Sequence, residues 1–204
     1  INALKELKQD ILSPDFTVQT PSAVYPGEEF DLKVSFKNLK SFAVQLYAIN
    51  LPARPNAVEV PDETFLKKHG HLLSSVHYVL FPSGDYKMQD YIFHMKAPET
   101  GLYALRIVPD AEVRSNSAKF LSSTRFKVLT RSLPSKLSEV AVLDDMSGKP
   151  IEGVLLSVFD RQNKQLLTAT TNAEGKAQFA SSGEYRYLTA AKGADTAMPQ
   201  IYLW

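Results

Sequence analysis

Three histidines close together, His69, His71 and His77, are the first residues to test for chemistry. An H-x-H pair on a strand sets both rings on one face, an arrangement that can hold zinc. The pair follows Lys67-Lys68, and Asp62 and Glu63 do not stand at ligand spacing. The expected reading is a surface loop with neutral histidines. His94 alternates with Phe93 and Met95, which puts it on the solvated side of a strand. Asp144-Asp145 with Asp160 offers oxygen ligands for calcium, but the D-x-D-x-D-G ladder is missing. Such carboxylates more often cap turns by accepting backbone N–H groups. Neither Ser122-Ser123 nor Ser181-Ser182-Gly183 is a G-x-S-x-G elbow, and no serine has a base nearby in sequence. With no cysteine in the chain, disulfides, thiolate metal sites, cysteine nucleophiles and internal thioesters are excluded. The expectation is no catalytic residue, no metal and no cofactor.

The bulk properties agree with a passive domain. An apolar fraction of 44% and a charged fraction of 22% fit a folded chain, and the net charge of +1 calls for neither nucleic acid nor anionic lipid. No apolar run approaches the roughly 20 residues that span a bilayer. The chain opens on Ile1, so a processed or excised piece is expected, with any signal peptide or anchor upstream of it.

The elements that would carry these residues are short strands. Phe30, Leu32, Val34 and Phe36 alternate with Asp31, Lys33, Ser35 and Lys37, the clearest strand pattern in the chain. Further strands are expected at 16–20, 42–49, 74–82, 85–97, 103–108 and 120–129. A bulge is expected near Gln89-Asp90, and Val76, Tyr78, Leu80, Tyr86, Met88, Tyr91, Phe93 and Met95 are expected on buried faces. Leu4, Leu7 and Ile11 are spaced for a short helix, and Asp62 could cap another running to Leu73. Residues 131–136 look like a linker. Beyond it, Ser147-Gly148 and Glu174-Gly175 are turn signals between apolar runs, with Pro150 at a strand start. Regular short strands with turn punctuation indicate sandwiches. The fold class expected is all-β, two tandem antiparallel β-sandwiches of the immunoglobulin or fibronectin type. They would occupy residues 1–132, with an insertion around 50–75, and 133–204.

Three stretches of the second unit carry a family resemblance. They are Val142 to Val154, with its Gly148-Lys149-Pro150 and Gly153; Thr171-Asn172-Ala173-Glu174-Gly175-Lys176-Ala177-Gln178-Phe179; and Tyr187 to Gly193. Together they resemble the macroglobulin MG2 type of domain. In the first unit, Tyr25-Pro26-Gly27-Glu28 and Pro98-Glu99-Thr100-Gly101-Leu102-Tyr103-Ala104-Leu105 are similar to macroglobulin-domain turns. The chain therefore resembles an internal fragment of a bacterial alpha-2-macroglobulin-like protein of the Bacteroidetes type.

The resemblance implies an extracytoplasmic, lipid-anchored protease trap whose domains frame a cleavable bait segment. It implies neighbouring domains of a longer chain as partners, proteases or other cell-surface proteins as further ones, and membrane attachment only through an anchor outside the fragment. The thioester motif of that family is absent and no long bait-like segment is visible. The alternative is a binding or spacer module of an outer-membrane receptor or adhesin, because the same domain pattern is reused there. Tyr185, Tyr187, Tyr202 and Trp204 are the candidate contacts to a partner or to the next domain, alongside an ordinary place in the core and the seam.

Overall fold

The computed structural model describes residues 2–51, 60–111, 113, 118–162 and 164–198. An N-terminal helix, Asn2–Leu12 (α1), is followed by strands Asp15–Gln19 (β1), Ala23–Val24 (β2), Glu29–Lys37 (β3) and Ser41–Ile49 (β4). A second helix, Glu63–His69 (α2), leads into Gly70–Val79 (β5), Gln89–Lys96 (β6), Gly101–Pro109 (β7) and Ala118–Ser123 (β8). These strands form two sheets, ordered β1-β3-β6 and β2-β8-β7-β4-β5. All pairs are antiparallel except the two-residue β2, which lies parallel to β8.

The period-2 pattern of β3 works as expected: Phe30, Leu32, Val34 and Phe36 are buried and the residues between them are not. Phe42 and Val44 meet them from the opposite sheet. Rings dominate this core. Phe42 packs against Phe16 at 5.5 Å, Tyr78 at 5.1 Å and Phe93 at 5.2 Å between centroids.

The expected insertion contains α2. Asp62 caps it, its Oδ1 accepting from the Phe65 N–H at 2.7 Å. The helix stops at His69 instead of continuing to Leu73, because Gly70 opens β5. Leu66 joins Ile49, Leu102, Ala104 and Phe120 in a small cluster of its own.

The segment before β6 differs from expectation. Tyr86 has φ 60° and Lys87 N–H bonds to Asp85, so the chain is still turning where a strand was expected from residue 85. β6 pairs in continuous register with β3, Phe36 with Gln89 through Glu29 with Lys96, so no bulge stands at Gln89-Asp90. The irregularity lies in the β4–β5 pair, at Leu46/Tyr47. Leu80 is buried as expected, and Tyr78, Phe93 and Met95 pack against the core. Val76, Tyr86, Met88 and Tyr91 are exposed. Val76 and Tyr91 lie on β5 and β6, which among the described residues are the outer strands of their sheets, and Tyr86 and Met88 lie in the segment joining them.

The second sandwich is built from Phe126–Leu133 (β9), Leu137–Asp144 (β10), Leu155–Phe159 (β11), Gln165–Thr170 (β12), Lys176–Ala180 (β13), Tyr187–Lys192 (β14) and Asp195–Ala197 (β15). Its sheets are ordered β13-β10-β9 and β12-β11-β14-β15. Val140, Val142, Val154, Leu156, Val158 and Leu188 are fully buried between them.

Here the strands differ from expectation. A single strand over 120–129 was expected to close the first unit, with the boundary at about 133. Two strands stand there instead, β8 ending at Ser123 and β9 starting at Phe126. Beyond that point β9 pairs with β10 over its whole length, Phe126 with Asp144 through Leu133 with Leu137. Phe126 is buried in the second core. The residues read as a linker, 131–136, hold the end of β9 and a tight turn in which Ser135 and Lys136 take φ 64° and 56°.

The motifs behind the resemblance are fold-forming. Gly175 has φ +70°, and a Cβ there would lie 2.5 Å from the Val142 carbonyl oxygen, so a side chain has no room. The Thr171 hydroxyl, buried, donates to the Ile151 carbonyl at 2.7 Å and accepts from the Val154 N–H at 2.9 Å. In the first unit the Tyr103 hydroxyl reaches back to the Glu99 carbonyl at 2.9 Å.

Candidate functional site: the joint between the sandwiches

At the crossing from β8 to β9, polar groups of both units converge on a buried carboxylate. Asp195 opens β15 in the second sandwich and is 3% exposed. Its Oδ1 accepts from the Thr124 hydroxyl at 2.6 Å, and its Oδ2 accepts from the Arg125 N–H at 3.2 Å and Nε–H at 3.5 Å. Thr124 is tied on both sides. Its N–H donates to the Val24 carbonyl in β2 at 2.9 Å, and its oxygen accepts from the Phe126 N–H at 3.1 Å. A buried carboxylate is costly unless it is hydrogen-bonded, and here the chain supplies three donors within two adjacent residues.

A second bridge lies alongside. The Tyr25 hydroxyl, in the Tyr25-Pro26-Gly27-Glu28 turn, donates to Asp144 Oδ2 at 3.0 Å. The other oxygen of Asp144 accepts from the Ser147 N–H and hydroxyl, each at 2.8 Å. These bonds from Ser147, joined by that from Tyr25, hold the Asp144 carboxyl below its ordinary range. Desolvation, and then the bond to Asp144, push the Tyr25 phenol up. The Asp145 N–H donates to the Arg125 carbonyl at 2.8 Å, which closes the joint. A cleft of about 610 Å³ opens beside it, lined among others by Arg125, Lys149, Lys192, Phe126, Pro150 and Ile151.

Chemically this is a fastening. Both carboxylates are engaged by backbone N–H groups and side-chain hydroxyls of the surrounding turns and strands. Asp160, the third carboxylate considered for calcium, accepts from the Gln162 and Lys164 N–H groups at 2.8 and 2.9 Å and so caps a turn. Among the described residues no group of three His, Asp or Glu could hold a metal ion. His69 lies against the Phe65 ring, His71 and His77 sit apart on β5, and His94 bonds to Asp31 at 2.9 Å on the surface.

Of the expected contact residues, Tyr185 packs edge-on against Phe179, and its hydroxyl donates to the Ala180 carbonyl at 2.8 Å. Tyr187 stacks on Phe159, with centroids 4.7 Å apart. Both contacts lie inside the second sandwich. Tyr202 and Trp204 lie outside the described residues. The sequence reading missed the joint residues Thr124, Arg125 and Asp195, since an isolated Asp and a Thr-Arg step carry no motif.

The comparisons with known proteins bear on the same region. Residues 123–202 match the family model of the bacterial alpha-2-macroglobulin MG3 domain. The match begins at the end of β8, where the structure changes sandwich. No curated protein sequence matches the chain. Among solved structures, native alpha-2-macroglobulin from Escherichia coli spanning domains MG0-NIE-MG1 is similar at a TM-score of 0.75 and 16% identity, over 93% of this chain and 64% of that one. The NIE-MG1 fragment of the same protein aligns at 0.68 and 15% identity, over 92% of this chain and 97% of that one. Salmonella alpha-2-macroglobulin reacted with methylamine aligns at 0.67 and 16% identity, over 91% of this chain but 12% of that one. The fold is that of tandem macroglobulin-type sandwiches. The chain spans less than two thirds of the first of these structures and about an eighth of the Salmonella protein.

Proposed function

We propose that this chain is a non-catalytic framework segment of a bacterial alpha-2-macroglobulin-like protein that works outside the cytoplasm as a protease trap. The observation that carries the reading is the family match over 123–202, on a chain whose paired sandwiches align with the NIE-MG1 pair nearly end to end. The domain number differs between the sources: MG2 by the sequence motifs, MG3 by the family model, NIE-MG1 by fold. The proposal uses what they share, a macroglobulin-type module. We place the division between the units at Thr124-Arg125. No described helix is long and apolar enough to cross a membrane. A lipid anchor, a Bacteroidetes-type origin and neighbouring domains as partners belong to the same proposal. The Tyr185–Tyr187 stretch is its candidate contact to a following domain.

A framework segment fixes distances and angles between its neighbours, and the Asp195 fastening is suited to that. The test uses the full-length polypeptide containing this chain, incubated with several endopeptidases. A trap leaves hydrolysis of small peptide substrates intact and suppresses cleavage of large protein substrates, whereas the 204-residue chain alone suppresses neither. Unimpaired cleavage of large substrates by every protease tried would remove the trap reading and leave a surface spacer.

A further inference from the structure

The two sandwiches are joined by polar groups and not by a shared core. None of the described buried apolar clusters draws residues from both sides of Thr124-Arg125: two are built from residues 16–121 and one from residues 126–197. Units without a large apolar contact between them move relative to one another by default. The ties that oppose such motion are of two kinds. Some end on the crossing itself, where Thr124 and Arg125 hold Asp195 and β15 lies beside β8. A change of angle at the crossing leaves these nearly in place. Among the described residues, one side-chain hydrogen bond joins a residue before Thr124 to a residue after Arg125. It is the bond from the Tyr25 hydroxyl to Asp144 Oδ2, at 3.0 Å. It runs from the turn between β2 and β3 to the end of β10, so any swing that parts those two places breaks it.

We propose that the Tyr25–Asp144 bond is a releasable latch and the Thr124-Arg125 crossing a pivot, so that the sandwiches hold one angle while latched and a wider range of angles once released. Burial decides which tie opens first. Asp195 is 3% exposed, and parting it from its donors would strand a buried carboxylate, which is costly. Tyr25 and Asp144 are only half-buried, so water replaces either partner when their bond opens. The cost is then that of one hydrogen bond to a charged group. The cleft of about 610 Å³, with Arg125, Asp144 and Ser147 in its lining, leaves open space beside the latch. The two halves of the latch are built differently. Ser147 fixes Asp144 through two bonds of 2.8 Å, so the acceptor keeps its place whether or not Tyr25 is bound. Tyr25 stands between the two-residue β2 and a turn at Gly27 with φ 79°, and is the half that moves away. The latch depends on these contacts alone and holds whether or not the longer protein traps proteases.

The test puts one spin label on each sandwich of the 204-residue chain, through Ile92→Cys and Leu155→Cys. Both side chains are exposed on strands, and the chain has no cysteine of its own. Double electron–electron resonance then reads the distance between the units. With Tyr25 in place, one dominant narrow peak is expected. Tyr25→Phe keeps the ring and removes the bond, and should raise the population outside that peak roughly tenfold. Ser147→Ala leaves both latch groups but frees the Asp144 carboxylate, and should give a smaller rise in the same direction. Tyr103→Phe removes a hydroxyl bond lying wholly within the first sandwich, and should leave the distances as they are. Circular dichroism verifies that each variant is folded. A distribution that Tyr25→Phe leaves unchanged, narrow or broad, overturns the latch. So does equal broadening in Tyr103→Phe, which would mean general loosening of the first unit and not release at the joint.

Discussion

The two sandwiches share an architecture and solve it with different materials. The first fills its interior with rings: Phe16, Phe36 and Phe42 are fully buried and packed against Tyr78 and Phe93. The second is mainly aliphatic, with valines, leucines and an alanine from β10, β11 and β14 and Phe126 as its one buried ring among the described residues. The first also leaves its flank open along β5 and β6 and lets α1 ride on the surface with Leu4, Leu7 and Ile11 exposed. The second is knit at its turns by Gly175 and the Thr171 hydroxyl. One unit is held from the middle outward by a few large side chains. The other is held by many small ones and by turn geometry.

That contrast can be broken at its centres. Phe42→Ala should cost about 3–5 kcal/mol, because it removes the ring on which three others rest. Leu156→Ala should fall lower in the range of about 2–5 kcal/mol known for buried leucines, since its β-branched and small neighbours can close part of the gap. Urea unfolding of both variants gives the ranking. Equal losses would mean that the aromatic cluster is no more concentrated a source of stability than the aliphatic one.

Much of this fold can be read from alternation, and the exceptions have physical causes. Strand β3 announces itself because every second residue is buried. Asp62 was legible as a cap because capping is local. Exposure at Val76 and Tyr91 was not legible, because alternation reports which face a residue takes, and not whether another sheet covers that face. The break between β8 and β9 at Thr124-Arg125 was hidden for a related reason. Phe120, Leu121, Phe126 and Val128 read as one apolar run, while the break is fixed by Asp195, 70 residues away along the chain from Arg125. The candidate tyrosines came from composition, whereas the joint is made by contacts distant in sequence.

A middle-sized effect separates the units from each other. Asp195→Asn keeps the shape of the buried side chain but replaces one accepting oxygen by a donor facing groups that also donate. A loss of about 1–3 kcal/mol is expected. The form of the change matters more than its size. If Asp195 couples the units, calorimetry of the variant should resolve two transitions in place of a more concerted one. A uniform downward shift with unchanged shape would mean that Asp195 serves the second sandwich alone.

The smallest effect concerns cross-strand carboxylates, and each unit supplies one. In the second, Glu139 is almost buried on β10 and accepts from Gln178 Nε2 and Arg131 Nε, both at 2.7 Å. In the first, Asp90 on β6 accepts from the Ser35 hydroxyl and pairs with Lys33 at 3.2 Å in open solvent. The bond from Gln178, then that from Arg131, hold the Glu139 carboxyl below its ordinary value; Ser35, then Lys33, do the same for Asp90. A carboxyl whose folded value is depressed stabilises the fold above its unfolded value, and that contribution is lost as pH falls through the folded value. Thermal midpoints should therefore drop on acidification below about pH 4, the ordinary carboxylate range, and Glu139→Gln and Asp90→Asn should each flatten that drop. Salt distinguishes the two. An exposed pair is screened at about 0.5 M salt, so the Asp90 effect should fade there while the Glu139 effect, carried by short bonds to a shielded carboxylate, persists. Equal fading of both would place Glu139 with the surface pairs and erase this last difference between the sandwiches.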